Sequence, residues 1–128
     1  MSDWKTPLRL VEQLDKKGNI HEKGVKKLVS AVAEASELGD KLGCAEFIAF
    51  ATSAVRSAPN SEAVLDEVEK QTGVRLQILS GVEEAQLTFL AARRWYGWSA
   101  GRITNLDIGG GSLELSTGTD EHPDPALS

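Results

Sequence analysis

The run from Asn105 to Leu115, Asn-Leu-Asp-Ile-Gly-Gly-Gly-Ser-Leu-Glu-Leu, constrains the chain more than any other stretch. It sets three glycines and a hydroxyl between two apolar, strand-like segments. Consecutive residues without Cβ let backbone N–H groups close on an oxyanion, and they predict the positive φ of a tight nest. Asp107 ends the apolar run from Ile103 and suits a hydrated Mg²⁺ or a water. Ser112 adds a hydroxyl donor, and Glu114 alternates onto the same face as Ser112, so the two carboxylates are candidates to share one ion. Composition equally allows an ordinary hairpin with a flexible Gly/Ser turn. No Lys follows Ser112, which excludes a Walker loop.

Two further segments carry chemistry at the ends of apolar runs. The alternating stretch Val74 to Leu79 leads into a helix with Leu87, Leu90 and Ala91 at apolar positions. Ser80 and Glu83 have the spacing of a capping box, in which the serine accepts from the third helical N–H and the glutamate reaches back. That accounts for Glu83 and leaves Glu84 as the candidate general base, at the carboxyl end of a strand where open α/β sheets build their sites. A helix dipole favouring a solvated first-turn acid is the plainer account of Glu84. Upstream, the strand Phe47 to Phe50 precedes Ala51-Thr52-Ser53-Ala54-Val55-Arg56. Thr52 and Ser53 can cap a short helical turn, placing Arg56 one turn on as a fork for phosphate, or as a plain surface arginine.

These segments together resemble the exopolyphosphatase and guanosine pentaphosphate phosphohydrolase family. The matching motifs, in order, are Ala51 to Arg56 with Pro59-Asn60, Leu79-Ser80-Gly81-Val82-Glu83-Glu84-Ala85, and Asp107 to Glu114. The resemblance spans Arg9 to Thr119. It implies Glu84 as general base and Asp107, Gly109, Gly110, Gly111 and Ser112 as the second phosphate loop. It further implies Glu114 as a second carboxylate at the ion with Asp107, and Arg56, with Thr52 and Ser53, as phosphate-facing. The implied fold is a ribonuclease-H-like α/β domain of the actin-like ATPase superfamily, a mainly parallel sheet with flanking helices. The implied activity is Mg²⁺-assisted release of terminal phosphate from polyphosphate or guanosine pentaphosphate, the alarmone of the stringent response. An actin-like or sugar-kinase-type ATP user is one alternative, and a non-catalytic alarmone or polyphosphate sensor is another.

Such proteins open with an Asp-x-Gly-Ser/Thr-Asn-Ser loop that is absent here, so the chain reads as a fragment truncated at both ends and inactive by itself. The expected organisation is a partial first domain over 1–100, the Gly-rich hairpin opening a second half over 101–119, and a polar, mobile tail over 120–128. Exposed sheet edges should follow, and with them pairing of two copies as a homodimer.

Composition narrows the function classes. With 128 residues and a net charge of −5, the chain is one domain's worth of material and a poor nucleic-acid binder. No stretch is long enough to span a bilayer, and the polar start Met1-Ser2-Asp3-Trp4-Lys5 lacks a signal-peptide core, which predicts a cytoplasmic protein. Cys44, beside an apolar strand, is expected to be a buried thiol. His21 and His122 are too far apart in sequence to argue for zinc. Helical periodicity predicts helices over Glu22 to Leu42, from Asn60 or Ser61 to Gly73, and from Val82 to Tyr96. Trp95, Tyr96 and Trp98 form an aromatic patch, read as hydrophobic surface ahead of base stacking.

Overall fold

The computed structural model describes residues 4–128, so Met1 to Asp3 of the polar start lie outside the described residues. The chain divides into two compact units, one through Ile78 and one from Leu79 to Ser128. The division falls after the second short strand.

In the first unit, helix α1 (Glu22–Lys41) packs against helix α3 (Ser61–Thr72). Their apolar stripes, Leu28 and Val32 on α1 and Val64, Leu65 and Val68 on α3, share one core with Ile20, Val55, Ala58 and Leu76. Full burial of each such aliphatic side chain stabilises by about 1.5–3 kcal/mol. Gly24 lets α1 close on the segment that precedes it, since a Cβ there would lie 2.8 Å from both Gln13 Cβ and Ile20 Cγ2. Gly73 ends α3 in the left-handed conformation with φ 73, as its position after the last apolar turn predicts. Asn60 does not cap α3 with its side chain. Instead its Oδ1 accepts the Ile20 N–H at 2.9 Å and its Nδ2 donates to the Ile20 carbonyl at 2.8 Å. One amide thus satisfies both backbone groups of a buried residue 40 positions away.

Parallel pairing is present but brief. Strand β1 (Phe50–Ala51) pairs with β2 (Gln77–Ile78), in the register Phe50 to Gln77 and Ala51 to Ile78. The strand expected from Phe47 therefore starts later. Phe47 and Ile48 have no ladder partner within the described residues, and Phe47, Ile48 and Phe50 are exposed. Likewise only Gln77–Ile78 of the alternating stretch from Val74 forms strand. Cys44 is exposed, contrary to the buried thiol expected, because residues 42–48 form an irregular, solvent-facing connection after α1.

In the second unit, helix α4 (Gly81–Tyr96) lies on an antiparallel sheet of β3 (Ile103–Ile108), β4 (Leu113–Gly118) and β5 (Ala126–Leu127). The 120–128 segment, expected as a tail, contributes β5, which pairs through Leu115 with Leu127 and Ser116 with Ala126. The β3–β4 register sets Asn105, Asp107, Glu114, Ser116 and Gly118 on one face. That face meets α4: Asn105 Nδ2 donates to Thr88 Oγ1 at 3.3 Å, and a Cβ on Gly118 would stand 3.1 Å from Phe89 Cζ. The polar face is thus the covered one. The apolar residues Leu106, Ile108, Leu113 and Leu115 face outward, Ile108 being 72% exposed. Ala85, Phe89 and Arg93, each four residues apart, form the fully buried stripe of α4. No helix among the described residues is long and apolar enough to cross a membrane.

Candidate functional site

The capping box at the start of α4 is present in both directions. Glu83 N–H donates to Ser80 Oγ at 3.2 Å, and the Ser80 N–H donates to Glu83 Oε2 at 2.8 Å. The Ser80 backbone bond, followed by the Ser80 hydroxyl, holds the Glu83 carboxyl below the ordinary glutamate value. Glu83 is thereby occupied as a cap. Glu84, next in the turn, is half-buried, and its carbonyl accepts Thr88 Oγ1 at 3.1 Å. Because Thr88 also takes the Asn105 bond, the helix turn that carries Glu84 is tied to the strand that carries Asp107.

Asp107 and Glu114 are direct partners in the β3–β4 ladder and share the covered face. Glu114 is 1% exposed. Its Oε1 accepts Ser128 Oγ at 3.3 Å, while its Oε2 is buried without a hydrogen-bond partner. A buried carboxylate oxygen with nothing donating to it is costly, and a hard cation is one partner that offsets the cost. Two carboxylates on adjacent strands are a donor set that Mg²⁺ accepts, since it is commonly held by one or two carboxylates with waters and substrate phosphates completing the shell. No cluster of three or more His, Cys, Asp or Glu suited to a metal occurs among the described residues.

Between these carboxylates the turn is closed by the Gly109 N–H donating to the Ser112 carbonyl at 3.0 Å. Gly109, Gly110 and Gly111 do not adopt the positive φ expected of a nest. At Gly109 the lack of a Cβ matters through close approach instead, since a Cβ there would sit 3.2 Å from Ser112 Oγ.

Thr52, Ser53 and Arg56 belong to the first unit, on the single-turn helix α2 (Ser53–Arg56) that follows β1. Thr52 occupies the N-cap but its side chain makes no cap bond; its carbonyl accepts the N–H groups of Val55 and Arg56, each at 3.0 Å. The expected side-chain cap is therefore absent. Arg56 ends this turn, half-buried, as the sequence spacing placed it.

Arg93 was not anticipated. It is completely buried, and Nη2 donates to the Gly101 carbonyl at 2.7 Å and the Gly118 carbonyl at 2.8 Å. Its position four residues after Phe89 on the apolar stripe was the available signal.

Three comparisons bear on this arrangement. A family model described as the Ppx/GppA phosphatase family matches residues 1–128. The chain is 61% identical over its whole length to Exopolyphosphatase 1 of Mycobacterium leprae and 60% identical to that of Mycobacterium tuberculosis. It spans 38% and 37% of those two proteins, well under half of their length. Among solved structures it is similar to an exopolyphosphatase from Cytophaga hutchinsonii, with a TM-score of 0.90 at 24% identity, covering 99% of this chain and 41% of that one. It is also similar to the Aquifex aeolicus Ppx/GppA family member, with a TM-score of 0.79 at 23% identity, covering 94% and 39%. At these identities the two structures establish the fold, and its α/β character is the one expected from the motifs, although strand pairing among the described residues is mostly antiparallel where a mainly parallel sheet was expected.

Proposed function

We propose a function from one premise: the chain belongs to the Ppx/GppA phosphatase family. The intact protein hydrolyses the terminal phosphoanhydride of inorganic polyphosphate, and guanosine pentaphosphate is the second substrate to test. The observation that supports this reading best is the pairing of Asp107 with the buried, incompletely bonded Glu114 across the glycine turn.

In this reading Glu84 orients and deprotonates the attacking water, a role open to it because Glu83 is committed to the cap. Backbone N–H groups from Gly109 to Ser112 receive charge that develops on the transferred phosphoryl oxygens. Arg56, with the hydroxyls of Thr52 and Ser53, takes substrate phosphate, a planar fork suiting two phosphate oxygens at once. Asp107 and Glu114 would hold Mg²⁺, which when bound supplies charge neutralisation to the phosphoryl group. The protein works in the cytoplasm as a homodimer, the latter checked by sedimentation of the intact protein.

Phosphate release from polyphosphate, guanosine pentaphosphate and ATP by the intact protein tests the reading. Release from polyphosphate with none from ATP is the expected result. Tight binding of polyphosphate without release would support a sensor instead, and phosphoryl transfer from ATP to an acceptor would support a kinase-type enzyme.

A further inference from the structure

A fully buried arginine paired with backbone carbonyls is unusual chemistry for a helix stripe. Desolvating a guanidinium is costly, and a side chain such as Met would fill the volume without that cost. What Arg93 supplies is a planar fork of donors aimed at three separate chain segments. Nη1 reaches the Gly97 carbonyl at 3.4 Å, at the end of α4; Nη2 reaches Gly101, at the entry to β3, and Gly118, at the last residue of β4. The guanidinium also lies 5.7 Å from the ring centroids of Phe89 and Trp98. One side chain therefore joins the end of the helix to both strands of the hairpin at its open end. The helix carries Glu84 in its first turn, and the closed end of the same hairpin carries Asp107 to Glu114.

We propose that Arg93 is a positioning residue that holds the β3–β4 hairpin against α4, and so sets the phosphate loop and its carboxylates relative to Glu84. This rests on the hydrolysis proposed above. Lysine in its place keeps the charge but concentrates its donors on one nitrogen, so it gives up the second arm of the fork, the Nη1 bond to Gly97, and the planar group beside Phe89 and Trp98. Two strands released at one end shift at the other, and misplacement of reacting groups by about 1 Å costs on the order of 10²-fold in rate.

The test compares wild type, Arg93→Lys and the milder Trp98→Leu in the intact protein. It measures kcat and KM for polyphosphate, together with backbone hydrogen exchange. For Arg93→Lys, kcat should fall about 10- to 100-fold with KM within about 3-fold. Amides of β3 and β4 should exchange faster while those of α1 and α3 are unchanged. Trp98→Leu, at an exposed ring, should show the same pattern with a kcat loss of about 2- to 5-fold, and it serves alone where Arg93→Lys does not fold. A lowered melting temperature with undiminished kcat below the melt overturns the proposal, because that is what a purely structural arginine would give. Unchanged hairpin exchange overturns it as well. A wild-type protein that releases no phosphate, with hairpin exchange still accelerated by Arg93→Lys, refutes the assigned hydrolysis and leaves the clamp standing.

Discussion

Asp107 and Glu114 stand directly opposite one another in the β3–β4 ladder, on the covered face of the sheet, with one Glu114 oxygen buried and unbonded. If this pair holds the ion, Asp107→Asn should raise the Mg²⁺ concentration for half-maximal phosphate release by the intact protein, since an amide keeps the shape and loses the charge. Glu114→Gln should act in the same direction and also place an amide N–H₂ where no acceptor is bonded. Mg²⁺ titration of activity measures both. Wild-type Mg²⁺ dependence in the two variants would remove these residues from the metal site.

Glu84 and Glu83 are adjacent, and the proposed function gives them different roles. Glu84→Gln should lower kcat by about 10²–10⁴-fold with KM little changed, the effect of losing a general base. Glu83→Gln should retain near-wild-type turnover, because glutamine can also fill the third position of a capping box. Steady-state kinetics of the two variants decide the matter, and the opposite pattern would exchange the assignments.

The cap has a pH signature. Glu83 titrates below its ordinary value because the Ser80 N–H, and then the Ser80 hydroxyl, bond its ionised form. A carboxyl depressed in the folded state contributes stability that is fully present above its unfolded value and is lost as pH falls through the folded one. The stability difference between wild type and Glu83→Gln should accordingly be constant near neutral pH and shrink in acid. Denaturant unfolding across that range measures it. Ser80→Ala, which removes the other half of the box, should cost about 1 kcal/mol; a loss of less than about 0.3 kcal/mol would mean the box adds little to the helix.

Asn60 makes two side-chain bonds to Ile20, 40 positions away. Asn60→Ala leaves the buried Ile20 N–H and carbonyl without these partners and should destabilise the protein by about 1–3 kcal/mol. Asn60→Asp, which keeps an acceptor for the N–H but offers the carbonyl no donor, should fall between wild type and alanine. Urea midpoints at constant m-value provide the comparison, and equal stability of all three would refute the cross-tie.

Features made within a few consecutive residues were legible in the sequence alone. The Ser80–Glu83 box, the Gly73 stop, the span of α1 and the Asp107-to-Glu114 hairpin all depend on local spacing, and each is present. Where a partner distant in sequence decides the outcome, spacing was silent or misleading. The strand expected from Phe47 shrinks to Phe50–Ala51 because a strand extends only as far as its ladder, and β2 offers two residues. Cys44 is exposed for the same reason, lying in a connection that no strand draws inward. Asn60 looks like a helix cap until Ile20 is brought beside it. Arg93 has the period of a core residue and the chemistry of a surface one. Only the carbonyls of Gly97, Gly101 and Gly118, gathered by the folding of the hairpin onto α4, make its burial tolerable. Local bonding is determined by residues a turn apart, whereas burial depends on which surfaces tertiary packing removes from water.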